Sequence, residues 1–185
     1  MATVTELRLL TAEEFAELSF EVPVELVRGE IVEMPRPDVM HGTVCVNVTF
    51  PLTSWNRSVD FGLVVSNDSG VVTERDPDTV RGPDAMVISK DRLPDGIAPR
   101  GFSDLVPNLA IEVLSPSERW KKVLEKVSEY LNRGVDEVWV VDPRRHTVQV
   151  FRPDDEPTCY GEQDEITSSV LPGFSCRVSE FFLGI

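Results

Sequence analysis

The sequence predicts an α/β fold, a mixed β-sheet flanked by helices, and three observations carry that expectation. Residues 108–115 (NLAIEVLS) are a nearly continuous apolar run, the pattern of a strand buried on both faces. Within 118–133, Trp120, Val123, Leu124, Val127, Tyr130 and Leu131 share one helical stripe, and Gly134 supplies the stop. Residues 137–143 (EVWVVDP) then form a second buried strand. A strand–helix–strand unit of this kind sets its two strands parallel, joined by a right-handed crossover.

The other elements follow along the chain. Thr11 and Glu14 have capping-box spacing, and Phe15 with Leu18 gives an apolar side, so a short helix is predicted over 11–18. VELVRGEIVEM (24–34) alternates apolar and polar residues around Arg28-Gly29, a hairpin whose turn needs the positive φ open to glycine. Between Asp38 and Trp55 the Val and Thr residues favour a strand. Against that, His41, Val44, Val48, Leu52 and Trp55 recur at helical spacing, with Cys45 beside them. The periodicity decides for a helix, capped by Asp38 and kinked or ended near Pro51. Short strands are predicted at 62–66, 70–73 and 83–89, followed by a Pro-, Gly- and Asp-rich loop over 90–106. Ser117 is the expected cap of the 118–133 helix, and HTVQVF (146–151) is an alternating strand. No internal repeat, linker or low-complexity tract interrupts the chain, which predicts a single domain over residues 1–185.

Composition limits the function classes. At 185 residues the chain can build one full core, and its 41% apolar content is that of a soluble globular protein. No apolar stretch reaches the length of about 18 residues that crosses a bilayer. The N-terminal MATVTELRLLTAEEF lacks the basic start and apolar run of a signal peptide. Cys45, Cys159 and Cys176 stand at unrelated spacings without a CxxC pair, and with two histidines in all they argue against a structural zinc site. A cytoplasmic location is expected.

Eighteen basic residues against 32 acidic ones give a net charge of −14, which repels a polyanion over most of the surface. Affinity for nucleic acid comes from Lys and Arg neutralising phosphates, so a nucleic-acid substrate requires a locally basic face. The charge is unevenly spread. Residues 154–165 (DDEPTCYGEQDE) carry six acids and no base, and are expected as a solvated loop. Residues 118–133 carry five basic residues against three acidic ones.

The chemistry centres on Glu112, which sits inside an apolar strand where a charge is costly unless paired or metal-bound. Asp84 opens a second strand in the dipeptide Pro83-Asp84. Two carboxylates on neighbouring strands can hold a hard cation such as Mg²⁺. Such a cation can activate water and stabilise charge developing on a phosphate. At about 100° per residue, Lys126 falls beside Val123 and Tyr130 at the edge of the apolar stripe, and Lys122 and Arg133 share that flank. Helix packing on the sheet can therefore aim Lys126 at the two carboxylates.

Pro-Asp followed about 28 residues later by a strand-borne Glu resembles the PD-(D/E)XK nuclease superfamily. More closely, the chain resembles a bacterial family of inferred endonucleases, the Uma-type family. VELVRGEIVEM, the His41 helix, VRGPDAMVIS, PNLAIEVLSPS, KVSEYLNRGVDEVWVVDP and SSVLPGFSCRVSEFF match it in order, over nearly the whole chain. The resemblance implies a restriction-endonuclease-like core and DNA cleavage dependent on Mg²⁺ or Mn²⁺. It assigns Asp84 and Glu112 as metal ligands, assisted by the backbone carbonyl of Val113. The superfamily's lysine, two residues after the Glu, is replaced here by Leu114; the family carries it on the following helix, where Lys126 matches. Glu25 and His41 match further family positions lining the same cleft. Lys122 departs from the family, which places an acid four residues before that lysine. Pairing of such cores to cut both strands implies a homodimer by analogy.

Taken singly, these residues have plainer readings. Glu112 can be a buried carboxylate satisfied by a structural Lys or Arg, Asp84 a turn residue after proline, and Lys126 a solvated helix-face lysine. His41 can be a satisfied core histidine, and Glu25 an exposed hairpin carboxylate. Two other functions stay open beside the nuclease: a non-catalytic scaffold or binding protein on the same fold, and a hydrolase of a smaller phosphorylated substrate.

Overall fold

In this computed structural model, residues 8–99, 101–102, 104–116 and 119–185 are described. The chain opens with a helical turn, α1 (Ala12–Ala16), closed by the predicted capping box between Thr11 and Glu14. Strands β1 (Val24–Val27) and β2 (Glu30–Glu33) form the predicted hairpin. Arg28 (φ 52°) and Gly29 (φ 79°) make a turn of the left-handed type that matches strand twist. A Cβ on Gly29 would stand 2.5 Å from the Leu9 Cβ, so close approach as well as φ demands glycine there.

Helix α2 (Val39–Val59) is capped by the Asp38 side chain and does not stop at Pro51. That proline removes one backbone N–H and costs about 3 kcal/mol in a helix interior. Val44, Val48, Leu52 and Trp55 lie along one face on both sides of it and are buried in the main core, which holds the helix together across the gap. Strands β3 (Gly62–Ser66), β4 (Val71–Glu74) and β6 (Ala85–Ser89) appear close to the predicted bounds. The three-residue strand β5 (Thr79–Arg81) is an addition to the prediction.

Strand β7 (Leu109–Val113), helix α3 (Trp120–Arg133) and strand β8 (Glu137–Asp142) form the expected unit, with β7 and β8 parallel. Ser117, the expected cap of α3, lies outside the described residues; Arg119 occupies the N-cap without a side-chain bond. The stripe of α3 buries Val123, Val127 and Tyr130, whereas Leu124 is 46% exposed. The chain continues through β9 (Thr147–Phe151), β10 (Thr158–Gly161), β11 (Glu165–Thr167) and β12 (Ser175–Arg177). The acidic run 154–165 is thus partly strand: β10 pairs with β9, and Glu165 opens β11.

A six-stranded mixed sheet, in the order β10-β9-β8-β7-β6-β3, forms the centre, and a four-stranded antiparallel sheet, β2-β1-β5-β4, lies beside it. Alternation sends Leu109, Ile111 and Val113 of β7 into the core shared with α2, and Ala110 into the core shared with α3. Leu26 and Val80 of the small sheet pack with α1. No helix among the described residues is long and apolar enough to cross a membrane. All three cysteines are free.

Candidate functional site

The strand alternation that buries Ile111 towards α2 turns Glu112 towards α3. Lys126 and Tyr130, one helical turn apart, both reach it. Lys126 Nζ donates to Glu112 Oε2 at 3.0 Å, and the Tyr130 hydroxyl donates to Oε1 at 2.7 Å. The same ammonium lies 3.0 Å from Glu25 Oε1. Lys126 is therefore a buried bridge between a strand of each sheet, and not a solvated lysine.

Glu25 neighbours Leu26, which pairs with Val80, so the next residues along each strand, Glu25 and Arg81, face each other. Arg81 Nη1 donates to Glu25 Oε2 at 2.8 Å, and its Nε donates to Glu129 Oε2 on α3 at 2.6 Å. The backbone N–H of Gly82 adds a bond to Glu25 Oε1 at 3.3 Å.

Asp84 stands just before β6. Its Oδ2 accepts the Val113 N–H at 2.6 Å, which sets it against the peptide that follows Glu112. Its Oδ1 lies 3.2 Å from His41 Nε2. Asp38 caps the backbone N–H of His41 at 2.8 Å and so fixes where the imidazole leaves α2. Cys45, one turn further on, places its Sγ 3.5 Å from His41 Nδ1. Glu25, His41, Asp84, Glu112, Val113 and Lys126 all line one cleft of about 920 Å³.

Electrostatics divide these groups. Burial is the largest influence on Glu112 and raises it; Lys126 opposes, while the charge of Asp84 adds to the rise, and the carboxyl is pushed up to about 7. Burial also works against ionised Glu25, but Lys126 and Arg81 outweigh it and hold that carboxyl below its ordinary value. Lys126 is raised: burial disfavours the ammonium, and Glu112 and Glu25 overcome it. His41 is raised as well, since its bonds to Asp84 and Cys45 exceed the opposing effect of burial. Asp68 is raised by burial and by Asp84.

The donor set suits a hard cation. Asp84 and Glu112 offer carboxylate oxygens, and each such oxygen can accept more than the one bond it receives here. The Val113 carbonyl ends the same strand. Burial is the main cause of the upward shift of Glu112, and a divalent cation beside it would favour the ionised carboxylate.

All five predicted side chains meet here. The sequence reading missed Arg81, Asp68, the Tyr130 hydroxyl and Cys45. Tyr130 was legible from its i,i+4 spacing to Lys126, and Arg81 from the need of two buried carboxylates for more than one cation. Asp68 carries no sequence signal.

A family model, Uma2, described as "Putative restriction endonuclease", matches residues 12–179. No curated protein matches. Among solved structures, the chain is similar to a "putative nuclease belonging to DUF820" from Anabaena variabilis ATCC 29413. The two share 23% identity and a TM-score of 0.82, over 94% of this chain and 98% of that one.

Proposed function

This chain belongs to the Uma2 family of restriction-endonuclease-like proteins, and from that premise we propose that it is a divalent-metal-dependent endonuclease hydrolysing DNA phosphodiester bonds. One observation carries the reading: Glu112 is buried on the central strand between Lys126 at 3.0 Å and Tyr130 at 2.7 Å, and Asp84 abuts the next peptide. Asp84, Glu112 and the Val113 carbonyl would hold Mg²⁺ or Mn²⁺. Bound there, the cation would supply Lewis acidity towards a phosphate oxygen and lower the pKa of a water molecule.

The chain's own side chains do the rest. Lys126 orients the Glu112 carboxylate, keeps Glu25 ionised and offsets phosphate charge at the cleft. Tyr130 fixes the second Glu112 oxygen. His41 orients Asp84, and Arg81 ties Glu25 to α3 so that the two sheets keep the carboxylates in register. Arg36, Arg119 and Lys122 stand on the walls of the same cleft, which supplies basic groups where a polyanion would enter. The acidic β10 segment is three strands removed from β7 in the sheet order. Such a chain is expected in the cytoplasm, acting as a homodimer on DNA.

The test is nicking of supercoiled plasmid, single-stranded DNA and linear duplex with Mg²⁺ or Mn²⁺, in wild type, Glu112→Gln and Lys126→Met. Metal-dependent cleavage that falls by about 10²-fold or more in both variants supports the assignment. No cleavage of any form, together with Mn²⁺ binding unaltered in Glu112→Ala, would end it. The net charge of −14 favours a second reading, a scaffold or a hydrolase of a small phosphorylated substrate. Small-substrate turnover without DNA cleavage, or unchanged function in Asp84→Ala and Glu112→Ala, would select among these.

A further inference from the structure

Beside the hard-oxygen site stand two groups of softer chemistry, His41, which also contacts Asp84, and Cys45. His41 and Cys45 are an i,i+4 pair on α2, so imidazole and thiol project from one face. Both other groups contact the imidazole: Cys45 Sγ is 3.5 Å from Nδ1, and Asp84 Oδ1 is 3.2 Å from Nε2. One ligand atom from each of the three residues lies within 4.8 Å of the other two. A tetrahedral zinc ion, with bonds of about 2.0–2.3 Å, needs its ligand atoms roughly 3.3–3.8 Å apart and takes only one ring nitrogen of His41, so a turn of the imidazole with a contraction of up to about 1.5 Å completes the set.

We propose that His41, Cys45 and Asp84 form a second cation site, selective for Zn²⁺ over Mg²⁺. Thiolate and imidazole favour Zn²⁺, whereas the hard oxygen set of Asp84, Glu112 and Val113 favours Mg²⁺ or Mn²⁺. Three protein ligands leave one position open to water, unlike a closed structural zinc site. The His41 and Asp84 side chains are 12% and 11% exposed, so the ion is shielded but reachable from the cleft. The charge of Asp68 acts on both Cys45 and Asp84, adding attraction for a cation at this point. On binding, the thiol proton passes to solvent and the sulfur ligates as thiolate.

The same three side chains also include a nucleophile, a base and an orienting acid. Burial pushes the Cys45 thiol up, which disfavours a standing thiolate for that chemistry. A metal ion brings the positive charge that a thiolate needs, whereas a neutral substrate does not. Spacing gave no sign of the site, because Asp84 enters only through the packing of β6 against α2.

Asp84 belongs to both sites, so Zn²⁺ binding would withdraw it from the hard cation. That consequence rests on the proposed nuclease site; zinc binding itself does not.

The experiment is a Co²⁺ titration of the chelator-stripped full chain, read by the thiolate-to-cobalt charge-transfer absorption and reversed by Zn²⁺. One equivalent should produce the band in wild type and in Glu112→Gln, and Cys45→Ser should lack it. A wild type without the band, or Cys45→Ser with it, would overturn the site. A readout independent of any variant is alkylation of wild type followed by mass analysis. Zn²⁺ should slow modification of Cys45 about tenfold or more and leave the exposed Cys159 unchanged; equal rates at Cys45 with and without Zn²⁺ would also overturn it. Failure of the nuclease reading is seen separately, as Mn²⁺ binding that survives Glu112→Gln, and does not alter the cobalt result.

Discussion

In the metal-free protein, the Glu112 carboxyl makes folding weaken as pH rises through neutrality. Its value is 4.5 when unperturbed and about 7 in the fold, where burial and Asp84 outweigh Lys126. A folded-state value above the unfolded one means that the folded chain holds a proton the unfolded chain has lost. The stabilisation is fully present below pH 4.5 and disappears as pH rises through about 7. At about 1.4 kcal/mol per unit, that window corresponds to about 3 kcal/mol. Urea unfolding in chelator from pH 4.5 to 8 measures it, for wild type and Glu112→Gln in parallel. The glutamine leaves a pH-independent offset from its altered bonds to Lys126 and Tyr130, and subtracting the two curves removes the titrating groups that do not interact with Glu112. The stability of wild type relative to the variant should fall by about 3 kcal/mol across the range, and saturating Mn²⁺ should abolish the fall. A flat difference would show that Lys126 and Tyr130 already hold the carboxylate ionised in acid. A rising one would reverse the sign, and either result refutes the charge balance drawn for the cleft.

Lys126→Met removes the ammonium shared by Glu25 and Glu112, and breaking such a buried pair should cost about 3–5 kcal/mol at pH 8 by urea unfolding. The loss should shrink at pH 5, where Glu112 takes up a proton. Tyr130→Phe deletes the donor to Glu112 Oε1 and should lower stability by about 1–3 kcal/mol, read as a lower thermal midpoint. Asp38→Ala removes the cap of α2 and should cost about 1 kcal/mol; an unchanged midpoint would show that the helix start is held by tertiary contacts alone.

How much was legible in advance depends on how far apart the deciding residues lie. The hairpin at Arg28-Gly29, the α1 capping box and the β7–α3–β8 unit each rest on neighbours within a few positions. Local periodicity therefore sufficed for them. Glu112 stood out because a lone acid interrupts an apolar strand, and Lys126 because of its angle on the α3 stripe. Whether α2 ends at Pro51 or runs past it stayed open in the sequence: the stripe reaches Leu52 and Trp55 and the local penalty is plain, but the buried face that outweighs it exists only once α2 lies on the sheet. The β10 strand was hidden for a similar reason, since an acidic run reads as a loop until β9 offers it an edge.

By itself the sequence determined the α/β class, the parallel unit and the identity of the carboxylates and lysine that converge. The class and the unit follow from residue type and short-range spacing, which do not change when the chain folds. Glu112 and Lys126 stood out by the same means, Asp84 as the partner of Glu112, and Glu25 only through the family resemblance. Only the tertiary structure decided how charge is shared among them. Arg81 reaches Glu129 across 48 residues and Glu25 across 56, and His41 reaches Asp84 from another element. Contacts of that kind depend on how two sheets and two helices stack, and burial within that stack decides which carboxyl stays ionised and which takes up a proton.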